Sequence, residues 1–167
     1  MNFIELNALE PIRFTDALGA IFEHSAWVAS AVTDQRPFSS VDELHEAMCR
    51  AMRAAPHDQQ LELIRAHPEL AARISMTADS VAEQRGAGLD SLTPDEHAAL
   101  LELNRAYRAR FGFPFILAVK GKDKNDIRAA LEARVSNDAV TEFETALGEI
   151  EKIARFRLSM LISSERD

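Results

Sequence analysis

The apolar positions of this chain recur in steps of three and four, the period of an amphipathic helix, and almost never alternate. Phe14, Ala17, Leu18, Ile21 and Phe22 predict a helix over 14–22. Ala26-Trp27-Val28-Ala29 predicts a short second one with Ser25 as its N-cap. Arg36-Pro37-Phe38 reads as a connection. Ser40-x-x-Glu43 has capping-box spacing and opens a helix from Val41 to Ala55, with Leu44, Ala47, Met48 and Ala51 on one face. Pro56 stops it. The next helix runs through Leu61 and Ile64 into His67-Pro68, where proline disfavours helical geometry at the histidine and removes one backbone donor. A short helical segment from Glu69 to about Ile74 follows.

Ser80-Val-Ala-Glu83-Gln84 repeats the Ser-x-x-Glu spacing, and Gly86 and Gly88 close the segment. Thr93-Pro94-Asp95-Glu96 is a strong helix start, with a capping threonine, proline in the first position and glutamate in the third. That helix carries Leu100, Leu103, Asn104, Tyr107 and Phe111 and ends at Gly112. Phe113 to Val119 is the one continuous apolar run that a strand could use. No second run offers it a partner, so it is expected to be buried and irregular. Asp123 caps a helix through Ile127, Ala130 and Leu131 to Arg134, and Ser136 caps the last, from Asn137 to about Ile162. The pattern predicts an all-α fold. The expected arrangement is a single compact helical-bundle domain over 1–167, with one irregular apolar segment near 113–119.

Composition narrows the function. A chain of 167 residues can bury a substantial core. Its net charge of −8 lacks the basic face that a nucleic-acid binder needs. Cys49 is the single cysteine, so no internal disulfide or thiolate metal site is expected. No apolar run approaches the length that spans a bilayer, and the first residues lack the basic-then-apolar pattern of a secretory signal. The expected compartment is the cytoplasm. His24, His45, His57, His67 and His97 share no helical metal spacing, and Gly86-Ala-Gly88 follows no strand. Neither a metal site nor a nucleotide loop is expected. His45, His57 and His97 sit among polar neighbours and are expected to be solvated.

Two positions stand out. His67 closes a helix on or beside its apolar face and is pinned by Pro68, which suits either a proton carrier facing a pocket or a core-edge histidine bonded to a carbonyl. On the last helix Val140, Phe143, Leu147, Ile150, Ala154, Arg157 and Leu161 form one stripe, and Arg157 is its only charge. A guanidinium there either reaches out at the core edge, pairs with an internal carboxylate or grips a substrate carboxylate or amide edge. Ser80 and Glu83 are explained by spacing alone as a helix cap.

Taken together, several stretches resemble one family, the 2-oxo-4-hydroxy-4-carboxy-5-ureidoimidazoline (OHCU) decarboxylases of urate breakdown. They are Phe22-Glu-His24-Ser25-x-Trp27-Val28-Ala29, His67-Pro68-x-Leu70, Ser80-x-x-Glu83-Gln84-x-x-Ala87-Gly88-Leu89 and Asn104-x-x-Tyr107-x-x-x-Phe111-Gly112-Phe113-Pro114-Phe115-Ile116. Gly121-Lys122, Arg134, Asn137, Glu142 and Arg157-Leu158 continue the match, which covers nearly the whole chain in order. Ala26 departs from it, where the family often has proline, and this touches only a turn.

The resemblance implies a compact all-helical homodimer without metal or organic cofactor, a carboxy-lyase converting OHCU to (S)-allantoin. It implies catalytic roles for His67 and Glu83. It implies substrate-binding roles for Pro68, Ser80, Gln84, Arg157 and the backbone around Phe115, Ile116 and Leu117. The substrate carries a carboxylate and a hydroxyl on one ring carbon beside an unsaturated nitrogen-containing system, so it supplies its own electron sink. In this reading His67 hydrogen-bonds or deprotonates the hydroxyl while Glu83 holds the imidazole or a ring nitrogen. A non-catalytic helical module for ligand binding or dimerisation would explain the caps and apolar stripes equally well. A different cofactor-free lyase or isomerase of ureido compounds would share the site.

Overall fold

Eight α-helices, and no strand, form among residues 1–70, 72 and 92–162, the part of the chain that the computed structural model describes. The all-α expectation is met. The chain divides into two compact units, Met1–Ala66 with Ile150–Asp167, and His67–Glu149. Among the described residues no helix is long and apolar enough to cross a membrane.

In the first unit, α1 (Phe3–Ala8) is a helix that the apolar pattern did not suggest, being too short to display a period. Its start is nevertheless a full capping box, with Asn2 and Glu5 exchanging side-chain and backbone hydrogen bonds of 2.9 Å. α2 (Pro11–Leu18) begins earlier than predicted, with Pro11 in its first turn, and stops before Ile21 and Phe22, which are buried in the following turn. A Cβ at Gly19 would stand 3.5 Å from the Cβ of Ala26, so the chain turns where α2 meets α3 (Ala26–Ala31). Ser25 occupies the cap position of α3, but its hydroxyl donates to the Glu23 carbonyl at 2.8 Å and caps nothing.

α3 packs on both α2 and α4 (Val41–Ala54). Ser40 accepts from the Glu43 N–H at 3.1 Å, while the Glu43 carboxylate takes the backbone and hydroxyl of Ser39 instead. The predicted box is therefore half formed. The connection before it is organised by Arg36, which donates to the carbonyls of Thr33 and Leu9 at 2.8 and 2.5 Å and lies over the Phe14 ring. α5 (His57–Ala66) completes this stretch with Leu63 and Ile64 buried.

In the second unit, α6 (Pro94–Phe111) has the predicted Thr93–Glu96 box and ends at Gly112, whose φ of 73° is the left-handed cap that glycine adopts without strain. α7 (Lys124–Arg134) packs on α6, capped by Asp123 and Asp126. α8 (Ala139–Leu161) contributes residues to both units. Its cap is Asp138, which accepts from the Thr141 backbone at 2.8 Å, and not Ser136. The predicted stripe also needs correction. Leu147, Ile150 and Ala154 are buried, but Val140 is 77% exposed and Glu142 is fully buried in its place. The charge is tolerated inside because Arg134 meets it there.

Candidate active site

His67 follows directly on the last residue of α5 and is 7% exposed, while Pro68 is exposed. The proline ends the helix as predicted and leaves the imidazole buried beside the break. Leu70 and Ala72 are helical. Ser80, Glu83 and Gln84 lie outside the described residues, as do Gly86, Gly88 and the rest of the predicted segment to Ile74.

Phe113 to Leu117 is buried, in neither helix nor strand, as the sequence led us to expect. The Phe115 ring meets Tyr107 edge-on at 5.3 Å, and Phe113 meets Phe143 at 6.3 Å. These rings hold the side chains, but the backbone has an unusual status. Among the described residues no hydrogen-bond partner is found for the N–H groups of Phe115, Ile116 or Leu117. Buried backbone groups are paired in the great majority of cases, so these N–H groups are donors that a polar partner could take up.

Behind this ribbon is a buried polar cluster that periodicity gave no sign of. Glu142 accepts from Arg134 Nε at 2.6 Å, from the Tyr107 hydroxyl at 2.5 Å and from Asn137 at 3.1 Å. Arg134 Nη2 is 2.5 Å from the same carboxylate, an ion-pair contact without hydrogen-bond geometry. Arg134 Nη1 donates to the Ile116 carbonyl at 2.6 Å, and the guanidinium lies 4.4 Å from the centre of the Phe115 ring. Burial first, and then the bond to Glu142, push the Tyr107 phenol well above the usual tyrosine range, so it stays a donor. Glu149 contributes a longer contact, accepting from the Ala118 N–H at 3.4 Å.

Arg157 belongs to the other unit and is described there by itself. Its side chain is 34% exposed and pairs with Glu23 at 2.7 Å, and Nη1 donates to the Ala20 carbonyl at 3.1 Å. The guanidinium thus sits at the edge of the core, the first of the three alternatives posed by its place on the stripe, and its carboxylate partner is half-buried. His45 corrects another expectation. It is half-buried, and its Nε2 lies 2.7 Å from the Glu151 carbonyl, an acceptor, so that nitrogen carries the proton. Among the described residues no group of three or more His, Cys, Asp or Glu is placed to hold a metal.

Comparison with known proteins joins these features to a family. The family model described as OHCU decarboxylase matches residues 7–159. The OHCU decarboxylase of Haloferax volcanii is 50% identical over 161 residues, covering 96% of each chain. The uric acid degradation bifunctional protein PucL of Bacillus subtilis is 49% identical over 96% of this chain and 33% of its own length. A crystal structure of (S)-allantoin synthase superposes with a TM-score of 0.83 at 34% identity, over 97% of this chain and 54% of that one. Both longer proteins thus contain a region of this kind beside something else. With its sequence matched almost end to end and its helical fold shared, the chain belongs to the OHCU decarboxylase family.

Proposed function

We propose that the chain is a cofactor-independent carboxy-lyase that converts OHCU to (S)-allantoin in urate catabolism. The observation that carries this is the 50% identity to the Haloferax volcanii decarboxylase across 96% of both chains. The buried ribbon of Phe115 to Leu117, whose N–H groups have no partner among the described residues, supports it, because OHCU is rich in carbonyl and ureido acceptors.

The chemistry needs little beyond orientation. The bond from the ring carbon to the carboxylate breaks and carbon dioxide leaves. Its electron pair forms a double bond to the neighbouring ring carbon, and the conjugated ring nitrogen takes up the charge and a proton. The hydroxyl then gives up its proton to become a carbonyl, and the neighbouring carbon is protonated on one face to fix the chirality of allantoin. His67, buried at the helix end, is the group that hydrogen-bonds or deprotonates the hydroxyl. Glu83 holds the imidazole or a ring nitrogen. Gln84 and Arg157 fix the carboxylate and the ureido or ring amide groups, with Pro68, Ser80 and the ribbon completing the binding set. Residues 1–167 act as one domain, the protein works as a homodimer, and its compartment is the cytoplasm.

The test generates OHCU from urate with the upstream enzymes, adds this protein and follows optical activity. The expected result is a rapid rise of (S)-allantoin over the slow racemic decay, with His67→Ala protein folded by circular dichroism but inactive. Decay indistinguishable from the uncatalysed one would leave a non-catalytic helical module as the reading. A folded, active His67→Ala protein would remove the histidine from the mechanism.

A further inference from the structure

The ribbon presents a question that the side-chain roles do not answer, namely what aims its backbone. Ile116 C=O and Leu117 N–H are the two ends of one peptide unit. Among the described residues only Arg36-Pro37 is cis, so this unit is trans and its N–H points opposite to its C=O. Arg134 Nη1 holds that carbonyl at 2.6 Å. The Leu117 N–H, at the other end, has no partner among the described residues. Fixing the carbonyl therefore fixes the direction of a buried, available donor.

The arginine is itself held from several sides. Glu142 binds Nε, Glu142 in turn is fixed by Tyr107 and Asn137, and the guanidinium stacks on Phe115, the first residue of the ribbon. A single anchor of this kind would be an ordinary structural bond. A buried guanidinium with a fully buried counter-carboxylate is a costly device for one loop carbonyl, and it is placed on a peptide of the ribbon whose opposite end, the Leu117 N–H, has no partner among the described residues. Charge-assisted bonds of this type define geometry more narrowly than a neutral bond does.

Building on the proposed function, we propose that Arg134 is a positioning residue for the reaction: held by Glu142, it grips the Ile116 carbonyl and thereby orients the Leu117 N–H as a donor to the substrate. Arg134 touches no substrate atom in this scheme. Its effect reaches the substrate through the backbone, so it falls on binding and orientation.

The experiment compares wild type, Arg134→Lys and Tyr107→Phe, with OHCU kinetics and (S)-allantoin binding measured well below each melting temperature. Lysine keeps the charge but cannot satisfy Glu142 and the Ile116 carbonyl together. Folded Arg134→Lys is expected to show KM for OHCU and Kd for (S)-allantoin both raised by about tenfold, the cost of one well-placed bond. The amide signal of Leu117 in 15N-labelled wild type is expected to move on adding allantoin and to move less in the variant. A purely structural role would lower the melting temperature and leave KM, Kd and that signal unchanged in the folded protein, and this would overturn the proposal. If Arg134→Lys fails to fold, Tyr107→Phe removes one support of Glu142 and should still raise KM by about twofold to threefold. Unchanged KM and Kd there would equally overturn it. Wild type inert toward OHCU would sink the functional reading instead, a result separate from either of these.

Discussion

Arg134 and Glu142 stand eight residues apart, on either side of the break between α7 and α8, and meet fully inside the protein at 2.6 Å. Each would be a severe liability without the other. Removing one member of a buried pair typically costs about 3–5 kcal/mol, because the survivor is left charged and unsolvated. Glu142→Ala should therefore lower unfolding free energy by an amount in that range. Tyr107→Phe, which deletes one donor to the same carboxylate, should cost less, about 1.5–3 kcal/mol for a bond to a charged group. Urea unfolding followed by circular dichroism checks the order.

The pair of Arg157 and Glu23 should behave differently. A pair with about a third of its arginine exposed is screened by water, and its contribution to stability is about 0–1 kcal/mol. Glu23→Gln and Arg157→Gln should shift the urea midpoint only slightly. If Arg157 also binds substrate, Arg157→Gln alone should raise KM for OHCU, by about tenfold or more for a lost charge-assisted bond. Steady-state kinetics on both variants separates the two roles.

Cys49 gives a prediction in pH. Burial, and then the neighbouring Glu151 carboxylate, push its thiol up to about 12. At pH 8 the folded thiol should have roughly a thousandfold less thiolate than a free one, partly offset by greater intrinsic nucleophilicity, so alkylation should be slower by about one to two orders of magnitude. Mass spectrometry of native and urea-unfolded protein treated with iodoacetamide reads this directly. The folded protein keeps the proton that the unfolded chain loses, so stability should fall as pH rises from 9.0, the thiol's ordinary value, toward about 12. Cys49→Ala should show a shallower decline over that interval.

Gly112 ends α6 in the left-handed region, one residue before the buried run of Phe113 to Leu117 begins. Gly112→Ala should cost about 1–2 kcal/mol, the price of a Cβ in that conformation, and Gly112→Asn should cost less. Thermal unfolding of the two variants tests the ranking.

How much of this could be read beforehand depended on the range of the interactions. Helices capped by local chemistry were legible: Thr93 with Glu96 and Asp123 with its helix form as their spacing requires. The ribbon was legible too, because an apolar run without a partner run has few other fates. Periodicity fails on α8, where it puts Val140 in the core and leaves Glu142 off the stripe. A carboxylate enters the interior only if a cation arrives from elsewhere, and Arg134 belongs to another helix. The backbone of Ile116 was invisible for the same reason, since its partner is a side chain eighteen positions away. His67 was singled out by its proline, a local signal, whereas nothing in the spacing around Arg157 points to Glu23.

The division of the chain has a consequence for the order in which the protein can form during synthesis. The unit His67–Glu149 is one uninterrupted stretch, so all of its internal partners emerge together. The other unit is closed by Asp42 with Arg155, by His45 with the Glu151 carbonyl and by Glu23 with Arg157. These bonds join residues about a hundred positions or more apart, and such long-range closure is slow because the intervening loop must first be paid for in entropy. Helices α1 to α5 leave the ribosome first and yet must wait for the second half of α8, while the stretch that carries the ribbon and its arginine has everything it needs before them.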